Sequence, residues 1–112
     1  MRTGGLIVSQ DSLFNTASGQ LAALSLSQAM PAIYAAREFA AARGLVGYGT
    51  SQSDAYRQVG LYPGRILLGE KPADLPVMQP TKFELTINLK TTKAIGLAVP
   101  NTLLVSAPEV IE

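Results

Sequence analysis

The sequence predicts an α/β fold, a Rossmann-like, three-layer arrangement in which a parallel sheet is covered by helices. Short, nearly all-apolar runs recur at residues 6–8, 32–35 and 45–48, as strands buried on both faces require. A stretch with apolar residues at helical spacing follows each run. Polar or glycine-bearing turns separate these units, and successive strand–helix units build parallel sheets.

Gly4-Gly5 precedes the first strand and Ser9-Gln10-Asp11-Ser12 ends it. Asp11 or Ser12 caps a first helix by accepting a first-turn N–H. Leu13, Ala17, Leu21, Leu24 and Ala29 then form its core stripe, and Pro31 marks its stop. The second strand leads into a short helix over 37–43, with Phe39 and Ala40 buried and Gly44 as a left-handed stop. After the third strand, Ser51 or Ser53 caps a helix that runs towards Leu68 and ends at Gly69. Tyr56, Val59, Pro63, Ile66 and Leu67 share one face of it, and Pro63 predicts a kink or break.

The pattern changes after Gly69. Residues 70–80 contain Pro72, Pro76 and Pro80 and are expected to be extended. Residues 83–89 alternate apolar and polar strictly, which predicts a strand with one wet face. A short helix over 91–95 stops at Gly96, and Asn101 caps a last turn through Leu103 and Leu104. The expected organisation is therefore residues 1–80 as an α/β lobe with its extended linker, and residues 81–112 as a C-terminal strand with short helices.

Composition narrows the chemistry. The chain has 112 residues, 47% hydrophobic and 15% charged, which suits one domain with an apolar face left for a partner. Its net charge is +1 and its basic residues are scattered, so it has no phosphate-tracking run and nucleic acid is not an expected partner. It has no Cys and no His, which removes thiolate and imidazole metal sites and the usual nucleophile–base pairs. Asp11, Glu38, Asp54, Asp74 and Glu84 form no spaced pair suited to acid–base catalysis. Residues 47–52 imitate a dinucleotide fingerprint, but Gln52 stands where its third glycine belongs. The expectation is a non-catalytic chain without cofactor or metal. The start carries one charge, Arg2, and then an apolar run of about five residues, 4–8, too short for a signal-peptide core or a membrane span.

Residues 69–77 (Gly-Glu-Lys-Pro-Ala-Asp-Leu-Pro-Val), 79–85 (Gln-Pro-Thr-Lys-Phe-Glu-Leu) and 87–91 (Ile-Asn-Leu-Lys-Thr) carry a resemblance. Lys93 to Leu97, Pro100, Leu103-Leu104 and the terminal Glu109-Val110-Ile111-Glu112 extend it. In this pattern the chain resembles the C-terminal third of ABC-type solute-binding proteins related to tryptophan and other amino-acid importers. The stretches 6–15, 31–34 and 47–57 match in the same order. The resemblance implies part of the second lobe of a type I periplasmic binding fold, without the first lobe or an export signal. It implies a periplasmic location, a small-molecule ligand such as an amino acid, and an ABC permease and ATPase as partners.

In open α/β sheets, ligands bind beyond the carboxyl ends of the strands. That rule selects residues 9–14, 34–38 and 48–54, the stretches that line the cleft by resemblance. Ser9, Gln10, Ser12, Ser51 and Asp54 are the candidate polar contacts, with Asp54 placed to accept from a ligand ammonium. Phe14, Tyr34 and Tyr48 are candidate stacking residues, with Gly49 beside them. Tyr34 reads equally as core, whereas Phe14 reads first as core, Asp54 first as a solvated helix-start charge, Glu38 as a surface carboxylate, and Gly47 and Gly49 as a tight turn. The alternative function is a lobe without ligand affinity that self-associates through an exposed apolar face as a homo-oligomer.

Overall fold

The fold is taken from a computed structural model that describes residues 4–112, so Met1, Arg2 and Thr3, and the leader reading that begins on them, lie outside the described residues. Five strands, β1 (Leu6–Val8), β2 (Ala32–Tyr34), β3 (Val46–Thr50), β4 (Phe83–Asn88) and β5 (Glu109–Ile111), form one sheet in that spatial order. β1, β2 and β3 are parallel neighbours, as the repeated strand–helix pattern predicts. β4 returns antiparallel to β3, and β5 lies parallel to β4. The register puts Val8, Tyr34, Gly47, Thr86 and Glu109 in one row across the sheet, and Ile7, Ile33, Val46, Ile87 and Val110 in the adjacent row on the other face.

The first helical stretch divides at Ala17 into α1 (Ser12–Thr16) and α2 (Ser18–Ser27). Asp11 caps α1 by accepting from the Leu13 N–H at 2.8 Å. The expected core stripe is displaced: Leu13 and Leu24 are exposed, whereas Phe14, Leu21, Ala22 and Ser25 face inward. The break at Ala17 resets the helical phase, which a single unbroken wheel does not capture. Ala29, placed on that stripe, lies beyond the helix with a positive φ of 49°.

α3 (Arg37–Ala41) buries Phe39 and Ala40 as expected. Its left-handed residue is Arg43, at φ 77°, and not Gly44. Gly44 serves close approach instead, because a Cβ there would sit 2.6 Å from the Phe39 carbonyl and 2.8 Å from the Tyr34 ring. The core gathers Val8, Ala32, Tyr34, Ala36 and Phe39, with Phe14 and Leu21 packed against it. Tyr34 and Phe39 stack with ring centroids 4.6 Å apart.

The third helix, α4 (Gln52–Leu67), ends at Gly69 with φ 106°, as expected. It runs through Pro63 without a break. The carbonyl that Pro63 orphans belongs to Val59, an exposed residue, where water can satisfy it. Among the described residues, α4 buries none of its side chains and has no extensive packing on a strand, so it does not cover the sheet as a third crossover helix would. It projects from the sheet as an arm, and the molecule extends 56 × 31 × 23 Å. The chain returns along it through a 3-10 turn at Pro72–Asp74, and the Tyr62 hydroxyl donates to the Pro76 carbonyl.

β4 departs from a strand with one wet face. Thr86, Ile87 and Asn88 are all buried. Asn88 is satisfied there: its amide donates to the Ala40 carbonyl at 2.9 Å, and its Oδ1 caps α5 (Leu89–Ala94) by accepting from the Thr91 N–H at 3.2 Å. Gly96, with φ 75°, follows the end of α5. α6 (Asn101–Ser106) starts at Asn101, but its cap position is Pro100 and no side chain caps it.

Candidate functional site

Because β1, β2 and β3 are parallel neighbours, the residues after each strand emerge on one rim of the sheet. Ser9, Gln10 and Ser12 are exposed there, after β1 and at the start of α1. Asp11 lies among them with its carboxylate engaged as the α1 cap.

Tyr34 does not reach the rim. It is 1% exposed, and its hydroxyl pairs with Ser25 Oγ at 2.6 Å. Its position in the row beneath α3 turns the ring into the core, so of its two sequence readings the core one holds. Phe14 likewise packs against that core while remaining half-buried.

Gly47 and Gly49 lie within β3 and not in a turn. A Cβ on Gly47 would meet the Ala36 carbonyl at 2.5 Å, and one on Gly49 would collide with the Ala35 carbonyl. The chain entering α3 thus lies directly on the β3 backbone, which only glycine permits. The space beside the Gly49 Cα is therefore filled by protein, and its expected place against a ligand is not available on that face.

Tyr48 points to the opposite face. It is 52% exposed and stacks with Phe83 of β4, with centroids 6.1 Å apart. Ser51 is buried and spends its hydroxyl on the α4 cap, accepting from the Asp54 N–H at 3.3 Å and pairing with Ser53 Oγ at 3.1 Å. Asp54 is half-buried in the first turn of α4. It opens a groove of about 260 Å³ between α4 and residues 78–81, whose walls include Gln58, Val59, Tyr62 and Met78.

The structure thus brings Ser9, Gln10 and Ser12 to the rim after β1, and Tyr48 and Asp54 to its β3 end. It withdraws Tyr34, Phe14, Ser51 and Gly49 into packing or capping. Sequence reasoning missed Arg37, the first residue of α3, which forms a two-pronged pair with Glu109 of β5: Nε to Oε2 at 2.5 Å and Nη2 to Oε1 at 2.6 Å. It also missed Phe83 as the partner of Tyr48. Both pairs join residues far apart in the chain, so local spacing gives no signal for them. Among the described residues, no cluster of carboxylates could hold a metal ion, and no helix is long and apolar enough to cross a membrane.

Comparison with known proteins gives a family and a fold. The sequence profile of the family described as ABC transporter substrate binding protein matches residues 2–111. No curated protein matches. Among solved structures, an ABC domain in complex with L-Trp from Streptococcus pneumonia is 24% identical with a TM-score of 0.86, covering 98% of this chain and 38% of that one. A conserved domain protein from Vibrio cholerae is 21% identical with a TM-score of 0.84, covering 94% of this chain and 36% of that one. An open, ligand-free substrate-binding protein with adhesive properties from Clostridium difficile is 20% identical with a TM-score of 0.62, covering 95% and 36%. The chain therefore spans little more than a third of the length of these structures.

Proposed function

The chain belongs to the ABC transporter substrate-binding protein family, and on that premise we propose that it supplies one wall of a ligand cleft for a small metabolite such as an amino acid. In this reading the ligand rests on the carboxyl rim of β1–β3. Ser9, Gln10 and Ser12 offer hydrogen bonds, Tyr48 offers an exposed ring, and Asp54 accepts from an ammonium group. The loaded protein would deliver its ligand to an ABC permease and ATPase, working outside the cytoplasmic membrane.

The observation that carries this reading is the exposed Tyr48 ring, braced by Phe83, at the β3 end of a rim whose β1 end presents Ser9, Gln10 and Ser12 unburied. Parallel sheets bind ligands at this edge. The L-Trp held by the streptococcal structure is consistent with an amino acid as the ligand class.

Isothermal titration of the chain against a panel of amino acids, aromatic ones included, tests the proposal. Saturable heat with at least one of them is expected, lost on Tyr48→Ala and weakened on Asp54→Asn. A folded chain that gives no heat with any member, or binding indifferent to both substitutions, would overturn it.

A further inference from the structure

Tyr48 and Phe83 are 52% and 54% exposed, yet their rings stack with centroids 6.1 Å apart and planes 20° from parallel. The sheet register makes this pair. β4 runs antiparallel to β3, with Leu85 opposite Tyr48 and Phe83 opposite Thr50. Phe83 is therefore the diagonal neighbour of Tyr48 on one face, a spacing that aromatic side chains span. Thr50 ends β3 and Phe83 begins β4, so the pair stands at the carboxyl end of β3. The Tyr34–Phe39 pair gives the contrast. Those rings lie 4.6 Å apart, 9° from parallel and 1% exposed, and their contact completes a core. At Tyr48 and Phe83 each ring covers only part of the other, and the uncovered parts form one aromatic surface.

We propose that Phe83 is a positioning residue for ligand binding: it fixes the Tyr48 ring so that the site prefers a ligand with a flat π system to a saturated one of similar bulk. The inference deepens the ligand reading above and rests on it, because it takes Tyr48 to face the ligand. The contact that carries it, Phe83 on Tyr48, lies wholly within this chain. A lone exposed tyrosine ring visits several rotamers, and ordering it on binding costs conformational entropy. Phe83 restricts the ring before a ligand arrives, so less of that freedom is lost on binding. The preference for a flat group has a separate cause. Aromatic rings attract one another beyond the area they bury, through offset-stacked or edge-to-face contact that a saturated ring does not make.

Titration calorimetry with phenylalanine and cyclohexylalanine tests the proposal. The two carry the same charges and similar bulk, and only the first has a flat π system. Phenylalanine should bind the parent chain about two- to tenfold more tightly. Phe83→Leu should bring that ratio close to one, whereas Phe83→Trp, which keeps a stacking face, should preserve it. A change that only loosened the fold would weaken both ligands alike and leave the ratio in place. If Phe83→Leu does not fold, Phe83→Met supplies the same comparison without an aromatic ring. Equal affinity of the parent chain for the two ligands overturns the proposal and leaves the ligand reading intact. So does a ratio that Phe83→Leu leaves unchanged or that Phe83→Trp fails to keep, and so does binding of other amino acids but neither of these. A folded chain that gives no heat with any amino acid overturns both.

Discussion

Arg37 and Glu109, 72 positions apart in sequence, hold each other through two short hydrogen bonds that span β3 and β4. They fasten the last strand to the helix that follows the second one. The Thr86 hydroxyl adds a longer contact to Glu109 at 3.4 Å. The Arg37 guanidinium, chiefly by hydrogen bonding, holds the Glu109 carboxyl below its ordinary value of 4.5. A carboxyl depressed in the folded state stabilises it above the unfolded pKa and loses that contribution as pH falls through the folded one. Arg37→Ala should therefore cost stability at neutral pH, by less than about 1 kcal/mol because both partners are more than a third exposed. The gap between variant and parent should close as pH is lowered beneath the carboxylate range. Urea denaturation at neutral and strongly acidic pH measures both.

Gly49→Ala should destabilise the chain by roughly 1–3 kcal/mol, because its methyl group would strike the Ala35 carbonyl and force strand and helix entry apart. Gly60→Ala should act in the opposite sense. Gly60 lies inside α4 with open space around it, so alanine should add about 0.5–1 kcal/mol through helix propensity. Chemical denaturation of the two variants gives a contrast of sign and not only of size.

Asn88→Ala should cost about 2 kcal/mol. It removes the α5 cap and one of the two donors to the Ala40 carbonyl, which keeps the Arg43 N–H. Asn88→Asp should restore the cap but not the donation, and so recover only part of the loss in the same denaturation assay.

Tyr34→Phe should lower stability by about 1 kcal/mol, since the buried Ser25 hydroxyl loses one partner and keeps the Ala22 carbonyl. It should leave any amino-acid affinity unchanged, because the ring packs in the core away from the rim. Titration calorimetry beside thermal melts separates the two effects.

The fold was legible wherever one element's own residues decide its state. The three apolar runs became β1–β3, and Phe39 and Ala40 were identified as the buried side of α3 from their spacing alone. What escaped depended on neighbours. The alternation in β4 reads as half wet, yet Thr86 and Asn88 are buried because other elements cover that strand. α4 has an apolar face, which ordinarily means packing on the sheet, but among the described residues none of α4 is buried, and Val59 and Tyr62 meet only the returning segment around 76–81. For the site, the residues directly after β1 could be read as exposed because a strand ending in a polar turn leaves them at the surface. Tyr34 could not be placed, because only its final residue position within β2 decides whether its ring faces core or cleft.

α4 also has a mechanical consequence. Its 16 residues make a rod about 24 Å long, held at its base by Ser51, whose N–H donates to the Lys82 carbonyl. A turn of about ten degrees at that pivot would carry the far end near Leu67 through about 4 Å. The rod is a lever: a fluorophore near its tip would convert a small rearrangement around Ser51 into a displacement large enough to follow optically.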